Sequence, residues 1–465
     1  MKSYKIYLSG LVPALLLASC NGLLDETVYS ELTTATYLNT TEARQTILTS
    51  AYGNAQMRDY FYFYGPGMTS GETWNEYGAI ESDFTPLCNF TWVSSHSYFS
   101  SSWNKLYAVV RDVNIVLSGI PDESGEARLV AEAKFLRGFA YDYLFDLFGA
   151  LPLYRSPDDD YYLERASTDE TVGFIEQDLL DAAAALPVKQ DVYGKATKGA
   201  ALGILTKLYL NTKQWQKAAE AAGQLIALNE YALFPDYTRL FRIENEGNSE
   251  LIWTIQANPQ AGVPFNANTF PTDYPHLPNQ TIYASRVYLF DDFVNSFDPA
   301  DTRKELIVTS YTNTNGEFIR LLGNDRSYAG KYEFDKDALG ASYGNDIPVL
   351  RYADILLSRA EALNELNGPN EESVSLINRI RERAGVAPLE LAGYTKETLR
   401  DHIFKERAWE FYFEQKSRSD KIRQGTFVSG AQARGKSAAK SHHVLFPLPQ
   451  TEINANPNLK QNDGY

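Results

Sequence analysis

The sequence predicts an all-α protein built on helical hairpins. In residues 198–228, apolar side chains recur three and four positions apart on both sides of a polar turn at 211–214, which is typical of two amphipathic helices joined as a hairpin. Its aromatic and alanine positions also fit a tetratricopeptide unit, whose period is about 34 residues. A plain buried helical pair would show the same pattern. One hairpin cannot bury both of its faces, so further hairpins are expected beside it.

The amino-acid composition argues against several classes of function. The 465 residues include 43 Lys+Arg against 59 Asp+Glu, a formal net charge of −16. Nucleic-acid binding rests on neutralising phosphates, so we expect no nucleic-acid partner. The 44% of hydrophobic residues are enough for a large core. With only Cys20 and Cys88 present, a disulfide framework and a zinc site of the CxxC type are excluded.

The N-terminus is typical of a targeting segment. Lys2 and Lys5 precede an apolar run over 6–17, which is shorter than the ~20 residues of a membrane-spanning helix. Leu17-Ala18-Ser19-Cys20 then resembles the lipobox of bacterial lipoproteins. We therefore expect a signal peptide at 1–19 and a lipidated Cys20, which anchors the mature chain in a membrane without spanning it. An ordinary secretory signal followed by a coincidental cysteine is the alternative.

Helical patterning predicts the remaining scaffold in chain order. A first helix begins near Glu42, and Gly149 ends a long and strongly apolar one. Further helices are expected at 103–117, 126–148, 168–186, 198–211, 215–228, 349–366, 371–384 and 396–416.

Two stretches break the helical pattern and are interpreted as loop-rich insertions, at about 57–102 and 229–348. The first is rich in Gly, Ser, Asn and aromatic residues, and the second contains a Pro/Asn-rich loop at 257–285. Minor β structure is expected at 251–256 and in a hairpin around Asn315-Gly316. Long ordered loops are commonly functional, so these insertions are predicted to form a ligand-binding face.

Several stretches together resemble the SusD/RagB family. They are the lipobox, EAKFLRGFAYDYLFDLFGALPL (132–153), LRYADILLSRAEALNEL (350–366), INRIRERAG (377–385) and LFPLPQTEINANPNLKQNDGY (445–465). The resemblance covers essentially the whole chain and implies a single domain over 20–465. It departs from the family at 415–417, where Gly and an Arg-aromatic pair are usual. The charged residues of 406–423 nevertheless keep the family order, and we interpret them as structural ion pairs.

The resemblance implies a role and a partner. Family members are surface lipoproteins of Bacteroidota that capture nutrients. They sit as a lid over a TonB-dependent transporter in the outer membrane. Their ligand is usually a glycan, and in the RagB branch it is an oligopeptide.

Catalytic motifs are not convincing in this sequence. It has neither a GxSxG elbow nor a P-loop, and its five His lack metal-ligand spacing. Carboxylate pairs such as Asp291-Asp292 are expected by chance among 59 acidic residues. We therefore expect no enzyme activity, no cofactor and no metal.

A glycan site needs aromatic platforms for the flat faces of sugar rings and polar side chains for their hydroxyls. The two insertions supply both types. The candidate ligand-binding residues are Trp74, Asn75, Tyr77, Asp83, Trp92, Tyr274, Asn279 and Tyr283.

The predicted function is thus a surface-exposed, lipid-anchored protein of the outer membrane that captures oligosaccharide for a transporter. Three alternatives stay open. The chain could bind oligopeptides, act as a surface glycoside hydrolase, or plug the transporter without a ligand site of its own.

Overall fold

A computed structural model describes residues 40–75, 81–118, 120, 126–283 and 286–465, without the side chains of Tyr60, Phe61 and Phe63. The predicted signal peptide, Cys20 and Tyr77 lie outside the described residues. The helices are α1 (Thr41–Ala55), α2 (Tyr60–Ser70), α3 (Glu81–Asn89), α4 (Ser97–Ser118), α5 (Ala127–Phe148), α6 (Thr168–Ala185), α7 (Lys198–Asn211), α8 (Trp215–Ala227), α9 (Phe265–Thr269), α10 (Asp291–Asn295), α11 (Tyr352–Asn367), α12 (Glu371–Arg383), α13 (Lys396–Phe411), α14 (Ser417–Gln424), α15 (Phe427–Ala433) and α16 (Gln450–Ala455). The strands are β1 (Thr73–Asn75), β2 (Leu251–Ile255), β3 (Val287–Leu289), β4 (Ile307–Val308), β5 (Ser310–Thr312), β6 (Phe318–Arg320), β7 (Tyr328–Ala329) and β8 (Ile347–Arg351).

The all-α prediction is confirmed, and the helices form the expected stack of hairpins. From α4 to α8 each helix packs against the next, and α8 then packs against α11, which in turn packs on α12 and α13. The helical stack thus continues directly from α8 to α11, and the residues between them form the second insertion. One large apolar core runs through the whole stack.

Local signals explain where these helices begin and how closely they approach. The Ser167 side chain and Glu170 form a reciprocal capping box at the start of α6, which satisfies two helix-end N–H groups. Gly138 of α5 faces Leu179 of α6, and an added Cβ would lie 2.8 Å from Leu179 Cγ. A residue without a side chain is what allows α5 and α6 to pack this closely.

The prediction that 57–102 is a loop is wrong for much of its length, because α2, β1, α3 and the start of α4 lie within it. The Asp59 side chain caps α2 by accepting from Tyr62 N, and Gly71 ends α2 in the left-handed conformation. Gly65-Pro66-Gly67 lies inside α2. Because described side chains from Tyr62 to Ser70 are buried on every side of α2, this segment lacks the amphipathic period that reveals surface helices.

The second insertion contains the predicted strand and hairpin. Strand β2 pairs antiparallel with β8, so the two ends of the insertion meet at its base. Strands β5 and β6 pair across the turn that holds Asn315-Gly316, which confirms the hairpin. The helix expected from Val349 begins instead at Tyr352, because residues up to Arg351 belong to β8.

The charged residues of 406–423 form buried ion pairs, as predicted. Arg407 bonds to Asp354 and Asp420, each at 2.8 Å, and ties α13 to α11 and α14. Arg351 is fully buried and contacts Glu250, Glu410 and Glu414. These pairs fasten the end of the insertion to the last helices of the scaffold.

Within the described ranges, the helices are either too short or too polar to cross a membrane.

Candidate functional site

The first element of the candidate site is a short strand pair set by the end of α2. Gly71 has φ +69°, a conformation that favours glycine, and it turns the chain from α2 into β1. Lys421 Nζ and Arg434 Nη2 donate to Ser70 O at 2.8 and 2.9 Å, so two cations cap the carboxyl end of α2. Strand β1 then pairs antiparallel with β3, which places Trp74 opposite Tyr288.

Trp74 is half-buried and its ring is held in place. Its ring centroid lies 4.9 Å from that of Tyr288 and 6.1 Å from that of Phe290. Its Nε1 donates to the main-chain oxygen of Asp325 at 2.7 Å. Since the indole N–H is already bonded, a ligand at Trp74 would contact the exposed part of the ring and not the N–H.

Tyr274, from the Pro/Asn-rich loop, lies in the same cluster of rings as Trp74. Its centroid is 4.4 Å from Phe270 and 5.0 Å from Tyr311. Phe270 contacts Tyr328 at 5.3 Å, and Tyr328 stacks on Tyr288, also at 5.3 Å. We name this set the loop-face aromatic cluster. It comprises Trp74, Phe270, Tyr274, Ile282, Tyr288, Val308, Tyr311, Ile319, Leu321, Tyr328 and Phe334.

One edge of this cluster is polar. Tyr311 OH donates to Asp273 Oδ1 at 3.0 Å, and Tyr288 OH accepts side-chain hydrogen bonds from Tyr328 and Arg286. Burial raises the pKa of Tyr288 and Tyr328, and burial together with the Asp273 carboxylate raises the pKa of Tyr311. The three hydroxyls therefore stay protonated at neutral pH and can both donate and accept hydrogen bonds.

Asn75 is buried, with 9% of its surface exposed, so it is not an exposed polar contact. Its Nδ2 donates to Arg286 O at 2.9 Å. Arg286 has φ +50°, a conformation that costs a residue with a side chain about 1–2 kcal/mol. The Asn75 side chain therefore helps to hold the backbone of Arg286 in this conformation.

Trp92, another of the candidate ligand-binding residues, is buried. Its side chain is 4% exposed, and Nε1 donates to Tyr465 OH at 3.0 Å. The rings of Phe90, His443 and Phe446 surround it at 5.0, 4.7 and 5.3 Å. Residues from the far end of the chain cover this ring, so Trp92 belongs to the main core and offers no platform.

Asp83 lies in α3, outside the loop-face aromatic cluster. Its main-chain oxygen accepts from His96 Nε2 at 2.8 Å, and its carboxylate accepts from Ser97 Oγ at 3.4 Å. Both contacts join α3 to the start of α4. A ligand contact by Asp83 stays a prediction.

Asn279 and Tyr283 lie on the neighbouring part of the loop face. Asn279 Nδ2 donates to the main-chain oxygens of Lys336 and Ala338, both at 3.0 Å, which ties two loops together. The Tyr283 side chain is 45% exposed. A small apolar cluster around Tyr343 joins this region to Phe334, whose ring is 5.9 Å from that of Tyr343.

Tyr288, Tyr311, Tyr328 and Arg286 are not among the site residues predicted from the sequence. For Arg286 and Tyr288, the sequence does contain a pattern that places them together. Arg286, Tyr288 and Phe290 alternate along RVYLF, and alternate residues of a strand share a face. Tyr311 and Tyr328 come from separate strands, so only the folded chain brings them to the same place.

A metal site is not evident among the described side chains, which hold no group of three or more His, Cys, Asp or Glu placed to bind one.

The carboxylate at the edge of the cluster, Asp273, accepts from Tyr311 and also from Asn313 Nδ2 at 3.4 Å. It thereby fastens the β5–β6 hairpin to the loop that carries Tyr274.

Known proteins match this chain over most of its length. Residues 332–465 match a family model described as the SusD family, and residues 23–210 match one described as starch-binding and associating with the outer membrane. The starch-binding protein SusD of Bacteroides thetaiotaomicron is 26% identical to this chain over an alignment 460 positions long. The alignment covers 82% of this chain and 81% of that protein.

Solved structures share the fold. A SusD homologue of Bacteroides thetaiotaomicron superimposes with a TM-score of 0.81 at 23% identity and covers 93% of this chain and 99% of its own. The surface glycan-binding protein A of the same organism, solved with laminarihexaose, gives 0.77 at 20% identity, with 91% and 99% covered. The solved structures share the fold, and the two family models together match more than half of the chain, which therefore belongs to the SusD family.

Proposed function

We propose that this protein is a non-catalytic, surface-exposed glycan-binding lipoprotein that captures oligosaccharide on the loop-face aromatic cluster. The observation that carries the proposal is that Trp74 belongs to a ring cluster whose edge includes the half-buried polar pair Tyr311 and Asp273. The half-buried Trp74 ring is fixed by the bond to Asp325 O at 2.7 Å, and its centroid lies 4.9 Å from that of Tyr288. A sugar ring needs an aromatic face together with hydrogen-bonding groups at its edge, and both are present here.

The relatives support this class of ligand. The curated relative from Bacteroides thetaiotaomicron is described as starch-binding, and one structural neighbour was solved with laminarihexaose. Both ligands are neutral glucose polymers, which makes maltohexaose and laminarihexaose suitable first probes.

The remaining parts of the proposal concern location and partner. A lipid on Cys20 would hold the protein at the outer membrane, in keeping with the family description over 23–210. We further propose that captured glycan passes to a TonB-dependent transporter beneath the protein. Anchoring beside the transporter raises the effective ligand concentration, so modest affinity at each binding event is sufficient.

Calorimetric titration of the purified protein with maltohexaose, laminarihexaose and a set of oligopeptides tests the proposal. We expect binding of at least one glycan. Trp74→Ala should weaken it by about 2 kcal/mol, the loss typical of an aromatic hot spot. Tyr161→Ala is the matched control, because Tyr161 is 71% exposed and lies outside the cluster.

Three results would contradict the proposal. Peptide binding that is equal in the native protein and Trp74→Ala, without glycan binding, would favour the oligopeptide reading. Equal glycan affinity in the native protein and Trp74→Ala would remove the cluster as the site. Release of reducing ends from either glycan by the purified protein would show that it is an enzyme.

A further inference from the structure

A groove separate from the loop-face aromatic cluster opens between two segments of the scaffold. One wall is 188–195, which joins α6 to α7, and the other is 247–254, which leads into β2. The groove has a volume of about 490 Å³ and shares no lining residue with the cluster. Small-molecule sites typically enclose about 300–1,000 Å³, so this groove is large enough to hold a ligand.

The first wall presents a tyrosine that is both exposed and rigidly held. Tyr193 OH donates to Asp346 Oδ2 at 2.7 Å and lies 3.2 Å from Thr254 Oγ1. Gln256 Nε2 donates to Tyr193 O at 3.2 Å. The side chain nevertheless remains 45% exposed. An exposed ring that is fixed in advance loses little freedom when a ligand binds, which favours recognition.

A second fixed ring, that of Tyr231, also lines the groove. Tyr231 OH lies 3.0 Å from Thr197 Oγ1, and the ring lies so close to Gly199 of α7 that a Cβ there would overlap it. The segment 188–195 is fastened at its end as well, because Gln190 Nε2 donates to Ala196 O at 2.5 Å. Two tyrosines with bonded hydroxyls therefore line a preformed groove.

The charge of the lining indicates the class of ligand. Lys189 and Lys195 are balanced by Asp191 and Glu230, and Lys189 Nζ lies 3.7 Å from Glu230 Oε1. The lining also includes neutral polar side chains from Gln190, Asn248 and Ser249, beside apolar residues such as Val188 and Val192. Such a surface, with aromatic rings, donors and acceptors but no excess charge, suits a neutral polyhydroxylated molecule better than an anion or a lipid.

We infer that this groove is a second binding site for a neutral oligosaccharide. The inference rests on the proposed function, because the same class of ligand would occupy both sites. Two contacts on one long glycan chain strengthen its retention without a tighter individual site.

Hydrogen exchange with and without maltohexaose or laminarihexaose, read by mass spectrometry, locates each contact. In the native protein we expect the glycan to slow exchange both near β1 and β3 and in the segments 188–195 and 247–254. In Trp74→Ala the protection of 188–195 should persist. In Ser249→Arg, a bulky side chain at an exposed groove position should remove the protection of 188–195 and leave that near Trp74.

Tyr193→Ala provides a second variant with the same expected loss, checked by its circular dichroism spectrum for retained folding. Protection confined to β1 and β3 in the native protein would overturn the second site and leave the proposed function standing. Protection of 188–195 that disappears in Trp74→Ala would also overturn it, because that segment would then respond to the first site. Absence of glycan protection anywhere would overturn both proposals.

Discussion

The side-chain amide of Asn75 donates a 2.9 Å hydrogen bond to the main-chain oxygen of Arg286, across the β1–β3 strand pair. Arg286 is held there with φ +50°, next to the strand that carries Tyr288. Backbone conformations of this kind persist where their surroundings enforce them, and they cluster at ligand-binding sites. We therefore propose that Asn75 is a positioning residue, which would act on ligand binding through Arg286.

Replacing Asn75 tests this positioning role. Asn75→Ala should lower the melting temperature, since loss of a buried hydrogen bond costs about 1 kcal/mol, and should also weaken glycan binding in titration calorimetry. Arg286→Ala should weaken binding while changing the melting temperature less. Asn315→Ala, at an exposed position in the β5–β6 turn, is the control. If Asn75→Ala lowers stability and leaves affinity unchanged, Asn75 is merely structural.

Gly71 should tolerate no side chain. It has φ +69°, and an added Cβ would overlap the Arg434 guanidinium that caps α2. The left-handed conformation alone costs an alanine about 1–2 kcal/mol, so Gly71→Ala should lower the melting temperature and disturb Trp74. Gly173→Ala is the matched control, because Gly173 lies in α6 with open space around it. That variant should be neutral or slightly more stable, and equal effects at both glycines would refute this account.

The two tryptophans should separate stability from binding. Trp92→Phe should lower the melting temperature, because the bond to Tyr465 OH and part of the packing are lost, yet glycan affinity should be unchanged. Trp74→Phe should do the reverse, with weaker binding and a smaller effect on unfolding. Thermal melts and titrations of both variants give the comparison. A marked loss of affinity in Trp92→Phe would return Trp92 to the list of ligand contacts.

The buried ion pairs predict an acid limit to stability. Burial opposes ionisation of Glu406, but the charges of Arg303 and Arg381 and the hydrogen bond from His402 together outweigh it and lower the pKa of Glu406 to about 2. Because this pKa lies below that of the unfolded chain, the stabilisation is complete above about pH 4.5 and is lost as pH falls towards 2. Burial also opposes ionisation of Glu410 and Glu414, but the surrounding cations, with Arg383 foremost at Glu410 and Arg351 foremost at Glu414, lower the pKa of both.

When melting temperatures are measured from pH 7 to pH 2, they should therefore decrease once the pH is below about 4.5. Glu406→Gln should melt lower at pH 7, because removing one partner of a buried ion pair costs about 3–5 kcal/mol, and should lose less on acidification. Glu244→Gln is the control. It pairs with Arg239 at the surface, where such a pair contributes about 0–1 kcal/mol. Identical pH profiles for the native protein and Glu406→Gln would contradict the assignment.

The predicted lipid anchor is tested by Cys20→Ser. The native protein should fractionate with outer membranes, whereas the variant should lose its lipid and leave that fraction. Metabolic labelling with a fatty acid gives an independent measurement. Membrane retention of an unlabelled Cys20→Ser chain would refute the lipobox reading.

The helical scaffold was predictable from local sequence patterns, because helix formation depends on neighbours three and four residues apart. The 198–228 hairpin, the α6 start and the Asn-Gly hairpin all carry such local signals. The family resemblance followed from several such segments in order. The ion pairs of α13 and α14 could be anticipated as a group, although not their individual partners.

Which aromatic rings are buried depends on contacts that form only in the folded chain. Trp74 and Trp92 stand in similar polar surroundings in the sequence, yet Tyr465 and Phe446 cover Trp92 from the other end of the chain. Trp74 and Tyr274 come together only because β1, β3 and β7 place Tyr288 and Tyr328 between them. Burial of a ring depends on partners hundreds of residues away, and no local period encodes them.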